Sequence, residues 1–194
     1  MKIKYLLLLI VCLNFIFTND NIDIQEVEQE VLVKDQLKSL DNKRIDIYDF
    51  LNNGPMLISF WFLACEPCKE EMKFLDKFNK QYAPRGFKVV SINTDNSRGF
   101  RSVKPFIENK KYSFDVLSDP NGKYQQKLGG RECPFTILVD HRGNILSKHV
   151  GFKLGDEEKI EKGILTLIDI YEKDLSIFND YKDSIITNPP IPEK

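Results

Sequence analysis

Two cysteines separated by two residues constrain this chain more than any other feature of its sequence. Cys65-Glu66-Pro67-Cys68 follows a largely apolar run at residues 56–62, which predicts a buried strand. Residues 67–82 then carry apolar side chains at helical spacing, such as Met72 and Leu75. The sequence therefore predicts a strand, a tight Cys-x-x-Cys turn and a helix, in that order.

The predicted helix start gives the cysteine pair a chemical role. Free N–H groups and partial positive charge at a helix N-terminus favour the thiolate, which is the reactive form of cysteine. We therefore expect Cys65 to be the exposed nucleophile and Cys68 to be the resolving thiol one turn further in. Pro67 suits the first turn, where no N–H partner is needed. For the pair alone, a stable disulfide or half of a zinc site remains the alternative.

Composition narrows the class of protein. The chain has 194 residues, a net charge of −1, 42% hydrophobic residues and four cysteines. This length suits one domain with a targeting segment. The charge balance argues against nucleic acid as a partner, and four cysteines are too few for a disulfide scaffold of this size.

The N-terminal residues predict an exported protein. A basic start at Lys2 and Lys4 precedes a mostly apolar run at residues 5–17, which is the pattern of a secretory signal. The expected organisation is a signal peptide or uncleaved anchor at residues 1–19, one folded domain at 20–183 and a disordered tail at 184–194.

A second motif, Cys133-Pro134, makes a family resemblance specific. With the Cys-Glu-Pro-Cys motif and the strand before it, the sequence resembles the thioredoxin superfamily. In particular it is similar to the extracytoplasmic TlpA/ResA-like thiol-disulfide oxidoreductases, which have a Redoxin-like thioredoxin domain. The resemblance implies an α/β, thioredoxin-like fold with a central mixed β-sheet flanked by helices. It also implies an N-terminal β-hairpin and a central helix–strand insertion.

The other patterns along the chain agree with that fold. Loose alternation on both sides of a turn at residues 41–43 predicts the hairpin. Pro105 is expected to kink the helix in which it lies. Further strands are predicted at 87–93, 112–117, 134–139 and 145–150, and further helices at 99–111, 123–128 and from 156 to about 181.

The resemblance also implies which residues surround the cysteine pair. Pro134 is expected in the cis form, in a loop that faces the disulfide. Glu71 matches a glutamate that is thought to aid proton transfer in ResA-like members. Glu66 is a second candidate, because Ser59 occupies the strand position of the buried acid of cytoplasmic thioredoxins and cannot act as a base. The alternative for both glutamates is a solvated position at the helix start.

Three further residues belong to the predicted active-site environment or alter it. Trp61 matches the aromatic residue of the preceding strand, whereas Ala64 replaces the tryptophan common before the first cysteine. Cys133 stands where relatives usually have Thr, Val or Ile, and would bring a third sulfur near Cys65. Four interpretations of Cys133 remain open at this point. It is either a small apolar residue that fills space in the core, a residue that modulates the redox potential, an alternative disulfide partner, or a ligand for Cu(I) or zinc.

The predicted function is that of a thiol-disulfide oxidoreductase that reduces protein disulfides through a Cys65/Cys68 dithiol. We expect a periplasmic or cell-envelope monomer, a membrane or periplasmic thiol donor and a role like cytochrome c maturation. No metal or other cofactor is expected. The alternatives are a thiol peroxidase-like antioxidant and a Sco-like copper metallochaperone that uses Cys65, Cys68 and Cys133.

Overall fold

A mixed seven-stranded sheet forms the centre of the fold, which a computed structural model describes for residues 29–187. The strand order is β2-β1-β5-β4-β3-β6-β7. The strands are β1 (Gln36–Ser39), β2 (Arg44–Asp46), β3 (Met56–Trp61), β4 (Lys88–Asn93), β5 (Asp115–Ser118), β6 (Phe135–Val139) and β7 (Ile145–Val150). The helices are α1 (Glu66–Tyr82), α2 (Val103–Lys110), α3 (Lys123–Lys127) and α4 (Asp156–Thr187).

Strand β3 is buried along its whole length because both faces of the sheet are covered. It pairs in parallel with β4 and antiparallel with β6. Successive side chains of a strand point to opposite faces, so Leu57 packs into the core cluster of α1 and α4, which includes Leu75 and Ile164. Ile58 packs into the cluster on the other face, with Ile47. This two-sided burial explains the uninterrupted apolar run before the cysteines.

The predicted hairpin and insertion are both present. β1 and β2 pair antiparallel, with Leu37 opposite Ile45. The insertion between β4 and the Cys133-Pro134 motif supplies α2, β5 and α3. Because β5 pairs in parallel with β4 and antiparallel with β1, the insertion joins the hairpin to the central sheet.

The expected kink at Pro105 is wrong. The chain forms a 3₁₀ turn at Gly99–Ser102, and α2 begins afterwards at Val103. Pro105 is therefore the third residue of α2. The N–H groups of a first helical turn have no partner within the helix, so proline is accommodated there without breaking a hydrogen bond.

Helix α4 extends further than expected. Its 32 residues end at Thr187, whereas the sequence predicted an end at about residue 181. Arg85 fixes the helix against the end of α1 through an ion pair of 2.7 Å with Glu172. Within residues 29–187, no helix combines the length and apolar character needed to cross a membrane. The predicted signal at residues 1–19 lies outside the described residues.

Candidate active site

The cysteine pair lies at the junction between β3 and α1. Cys65 occupies the N-cap position of α1, and its sulfur forms a disulfide with Cys68 across a Cα–Cα distance of 5.3 Å. The backbone N–H of Cys68 donates a hydrogen bond of 3.2 Å to the Cys65 sulfur. Helix N-termini supply free N–H groups and positive potential, which stabilise a thiolate at this position when the disulfide is reduced.

The loop before Cys65 is held by the end of the neighbouring strand. The backbone N–H of Leu63 donates to the Asp95 carboxylate at 2.8 Å. The N–H of Thr94 donates to the Trp61 carbonyl at 2.8 Å, and the N–H of Cys65 donates to the Phe62 carbonyl at 3.0 Å. The position of the first cysteine is therefore determined by both β3 and β4.

The expectation of an exposed Cys65 is wrong for the disulfide form. Only 5% of Cys65 is exposed, and Cys68 is fully buried. As the N-cap residue, Cys65 turns its side chain back over the helix start, where the sulfur meets Cys68. Both sulfurs thereby join the apolar cluster that contains Trp61, and partly buried Leu63 packs against this cluster.

Glu71 lies fully buried beneath the start of α1. The alternative interpretation, in which it is a solvent-exposed acid at the helix start, is therefore wrong. Its carboxyl oxygens accept hydrogen bonds from the hydroxyl groups of Ser59 at 2.8 Å and Thr136 at 2.7 Å. Ser59 on β3 and Thr136 on β6 are direct partners in the sheet register. The two strands therefore present a pair of hydroxyl groups to a carboxyl group carried by α1.

Burial changes the acidity of this carboxyl group. Loss of hydration disfavours the charged form and raises the pKa of Glu71 to about 7, although the hydrogen bonds from Thr136 and Ser59 oppose this rise. A group with such a pKa can accept and release a proton near neutral pH, as a general acid or base must. Strand β3 has a serine, Ser59, at the position expected for a buried acid. Glu71 from α1 supplies the acid beside it.

Glu66 and Pro67 occupy the first turn of α1 without contributing a buried charge. The side chain of Glu66 is 77% exposed and forms an ion pair of 2.7 Å with Lys69. Glu66 is therefore a solvated acid at the helix start, which was the alternative interpretation for this second candidate. Trp61 is fully buried, with its ring 5.6 Å from that of Phe106.

The bond between Cys133 and Pro134 is cis, as expected. Cys133 is a free, half-buried cysteine, and burial raises the pKa of its thiol above the ordinary value. Its sulfur lies 3.6 Å from the side-chain nitrogen of Gln125 and 4.0 Å from the Thr94 hydroxyl. Gln125 also donates to the Glu132 carbonyl at 2.7 Å, so it supports the loop that carries Cys133.

A polar cleft of about 760 Å³ opens beside this loop. Cys133 contributes to its wall, as does Phe62, a large apolar side chain that is 37% exposed. The remaining lining residues come from β4 and its following loop, from the α3 region and from the loop before Cys133: Thr94, Asn121, Gly122, Gln125, Gln126, Arg131 and Glu132.

The described residues do not form a metal centre around the cysteines. Within residues 29–187, no group of three or more His, Cys, Asp or Glu side chains is arranged to hold a metal ion. The three-sulfur ligand set proposed for Cys65, Cys68 and Cys133 is therefore not assembled in this structure.

Two contacts of the site were missed by sequence reasoning. The Thr136 hydroxyl group donates a hydrogen bond to the Glu71 carboxyl group, and the Gln125 side chain contacts the Cys133 sulfur. The position of Thr136, two residues after Pro134 on a strand next to β3, was a usable signal, because it places the hydroxyl on the same face as Ser59. The sequence contained no comparable signal for Gln125, since its contact depends on how α3 packs.

Comparison with known proteins finds similarity to thiol-disulfide oxidoreductases and thioredoxin-like proteins. The Redoxin family model matches residues 23–164. The thiol-disulfide oxidoreductase ResA of Bacillus thuringiensis subsp. konkukian is 26% identical over 112 residues, which are 58% of this chain and 63% of the relative. The thioredoxin-like protein YneN of Bacillus subtilis is 28% identical over 136 residues, covering 70% of this chain and 77% of the relative.

Solved structures include the same fold. A chain from Chlorobium tepidum described as a thiol:disulfide interchange protein DsbE superposes with a TM-score of 0.66 and 26% identity. The superposition covers 72% of this chain and 96% of that chain. The mixed sheet with its flanking helices is therefore a thioredoxin-like fold, as the sequence predicted.

Proposed function

The chain belongs to the Redoxin family, and from this membership and the site geometry we propose that it is a thiol-disulfide oxidoreductase that reduces protein disulfides. The observation that carries the proposal is the Cys65–Cys68 disulfide at the N-terminus of α1, with Glu71 buried beneath it. The match spans 63% of the length of the ResA relative, so the proposed activity rests on the geometry of the Cys65–Cys68 site.

The reaction proceeds through two thiol–disulfide exchanges. The Cys65 thiolate attacks one sulfur of a client disulfide, which breaks the client S–S bond and releases one client thiolate. The Cys68 thiolate then attacks the Cys65 sulfur of this mixed disulfide and releases the second client thiolate. The client gains two electrons and takes up two protons, and the protein is left with the Cys65–Cys68 disulfide.

Glu71 acts as the proton acceptor for Cys68 in the second exchange. Cys68 is buried, so its thiol has little access to water as a base. Glu71 follows Cys68 by three residues on α1, which places both side chains on the same helical face. A carboxyl group with a pKa of about 7 is matched to proton transfer near neutral pH.

The cleft beside Cys133 is the client-binding surface in this proposal. It combines hydrogen-bonding side chains, such as Gln126 and Arg131, with the apolar surface of Phe62. Such a mixed lining suits a polypeptide segment, whose backbone needs hydrogen-bond partners and whose side chains need apolar contact. A protein disulfide therefore fits the cleft better than a small apolar molecule does.

We place this activity outside the cytoplasm, with a membrane or periplasmic thiol donor and, for a client, a protein disulfide such as that of an apocytochrome c. The basic and apolar pattern of residues 1–19 supports export. An oxidising compartment would convert the dithiol to the disulfide, so a dedicated donor is needed to restore it.

Disulfide reduction by a Cys65→Ser variant tests the proposal. With insulin as the client and dithiothreitol as the reductant, the wild-type protein accelerates reduction and the variant does not. Glu70→Gln serves as the control, because Glu70 is exposed, pairs with Lys73 and leaves the sulfurs and the cleft unchanged. Full activity in Cys65→Ser would refute the assignment. The reduction potential of the Cys65/Cys68 pair then shows the direction of electron transfer. A value of about −270 mV indicates a reductant of client disulfides, and a value of about −120 mV indicates an oxidant.

A further inference from the structure

A small cavity lies beside Thr136. It has a volume of about 80 Å³ and lies between β6, β7 and the first turns of α4. A water molecule takes up about 30 Å³ in the liquid, so the cavity has room for more than one. The lining residues are Thr136, Leu138, His149, Asp156, Lys159 and Ile160.

Thr136 connects this cavity to the redox site. Its hydroxyl group donates to the Glu71 carboxyl group at 2.7 Å, and the same residue lines the cavity. Glu71 is fully buried, so a proton that it has accepted cannot pass directly to solvent. A hydroxyl group can accept one hydrogen bond while it donates another, which makes Thr136 suitable for passing a proton onward.

His149 lies opposite Thr136 on the neighbouring strand and reaches solvent. The two residues are direct partners in the β6–β7 register. The His149 side chain is 43% exposed, yet its Nε2 atom is buried and has no hydrogen-bond partner among the described residues. This atom lies 3.7 Å from the carboxylate of Asp156, which is buried at the start of α4. This distance is too long for a direct hydrogen bond, so the Nε2 atom is left for a water molecule in the cavity.

We propose that Thr136, the water-sized cavity and His149 form the path by which the proton of Glu71 reaches solvent. This inference deepens the proposed function, on which it rests, by assigning the residues that return Glu71 to its basic form after each turnover. Imidazole is the side chain that most readily takes up and releases a proton near neutral pH.

The proposed transfer moves one proton and no electrons. The Glu71 carboxylic acid donates its proton to the Thr136 hydroxyl oxygen, while the Thr136 hydroxyl proton passes to a water molecule in the cavity. That water protonates His149 at Nε2, and the imidazolium then releases a proton to bulk water. At the end Glu71 is a carboxylate, and Thr136 and His149 are again neutral.

The charges around the path favour movement of the proton from Glu71 towards His149. The buried Asp156 carboxylate faces His149 from α4, so a positive charge that arises on the ring lies 3.7 Å from a carboxylate oxygen. The Lys159 ammonium group lies 3.9 Å from the other oxygen of that carboxylate, but its side chain is 82% exposed, so its charge is largely screened. On the opposite side, Glu71 lies near the hydroxyl group of Ser59 and the Cys133 thiol.

The test follows the proton of Glu71 rather than disulfide exchange. In the oxidised protein, a rapid pH jump across neutrality is monitored through the infrared band of the protonated carboxyl group, which is assigned by its absence in Glu71→Gln. His149→Ala is expected to slow the gain and loss of this proton by about a hundredfold or more, and added imidazole is expected to restore the rate. The midpoint of the titration stays near that of the wild-type protein, because a path changes rates and not equilibria.

Two further variants separate proton transfer from packing. His141→Ala removes the other histidine, which lies away from the cavity, and is expected to keep the wild-type rate. His149→Gln keeps a polar side chain without a group that titrates, and is expected to be as slow as His149→Ala. A wild-type rate in either His149 variant, or a slow rate that imidazole does not restore, overturns the path. Because no client is present, these outcomes are independent of the Cys65→Ser assay.

Discussion

The buried carboxyl group of Glu71 accepts a hydrogen bond of 2.7 Å from Thr136, a residue 65 positions further along the chain. The contact joins the redox helix α1 to β6, the strand that follows the cis peptide bond at Pro134. It holds an ionisable group in the core, where the hydroxyl groups of Thr136 and Ser59 are its hydrogen-bond partners among the described residues. Such a group is costly to charge, and several measurable properties of the protein follow from it.

Replacing Glu71 with glutamine is expected to change how stability depends on pH. The pKa of Glu71 is about 7 in the folded protein against an ordinary value of 4.5. Between these values the folded state keeps a proton that the unfolded state has lost, so the stability of the wild-type protein falls as the pH rises from about 4.5 to about 7. Glu71→Gln cannot ionise and does not show this fall.

The stability difference is measured by denaturant unfolding of both oxidised proteins at several pH values. Glu71→Gln is expected to be more stable above pH 7 by up to about 3 kcal/mol and to differ little below pH 4.5. Glu70→Gln is the matched control, since Glu70 is exposed and paired only with Lys73. Parallel stability curves for wild type and Glu71→Gln would contradict the raised pKa.

Removal of the Ser59 hydroxyl is expected to raise the pKa of Glu71 further. A hydrogen bond to a charged group contributes about 1.5–3 kcal/mol, which corresponds to a rise of about one pH unit or more in Ser59→Ala. The infrared titration of the carboxyl group measures this shift. Ser91→Ala provides the control, because Ser91 is the β4 partner of Ser59 and its buried hydroxyl has no partner among the described residues. Equal shifts in the two variants would assign the effect to packing.

Cys133 is expected to react slowly with alkylating reagents in the oxidised protein. Burial raises the pKa of its thiol, so less of the reactive thiolate is present near neutral pH. Iodoacetamide labelling should therefore proceed more slowly than with a free cysteine peptide. Cys133→Ser identifies the labelled site, and labelling at the peptide rate would show that the thiol is neither buried nor perturbed.

Asp119 is expected to stabilise the segment that supports Cys133. This buried carboxylate accepts hydrogen bonds from the backbone N–H groups of Tyr124 at 3.0 Å and Gln125 at 2.9 Å. Loss of such a capping contact costs about 1–2 kcal/mol, so Asp119→Ala should lower the free energy of unfolding by that amount. Asp115→Ala, which removes an exposed carboxylate from β5, is the control in the same denaturation experiment. Equal stabilities for the two variants would contradict the capping role.

Local patterns were sufficient for most elements of the fold. Residues 56–62 predicted a buried strand because a strand covered on both faces has no polar positions. The helix after Cys65 was predictable because its apolar spacing repeats every three to four residues. The Pro105 kink and the end of α4 were wrong, since helix boundaries depend on the contacts of neighbouring elements.

The roles of individual site residues needed the tertiary structure. Sequence alone determined the cysteine pair, its place at a helix start and the proline that follows Cys133, because each is a feature of adjacent residues. Only the fold decided that Glu71 is buried while Glu66 is exposed, that Thr136 contacts the Glu71 carboxyl group, and that His149 lies opposite Thr136 on the next strand. Acidity and proton access depend on burial and on partners from distant strands, and these are created when the sheet packs against α1 and α4.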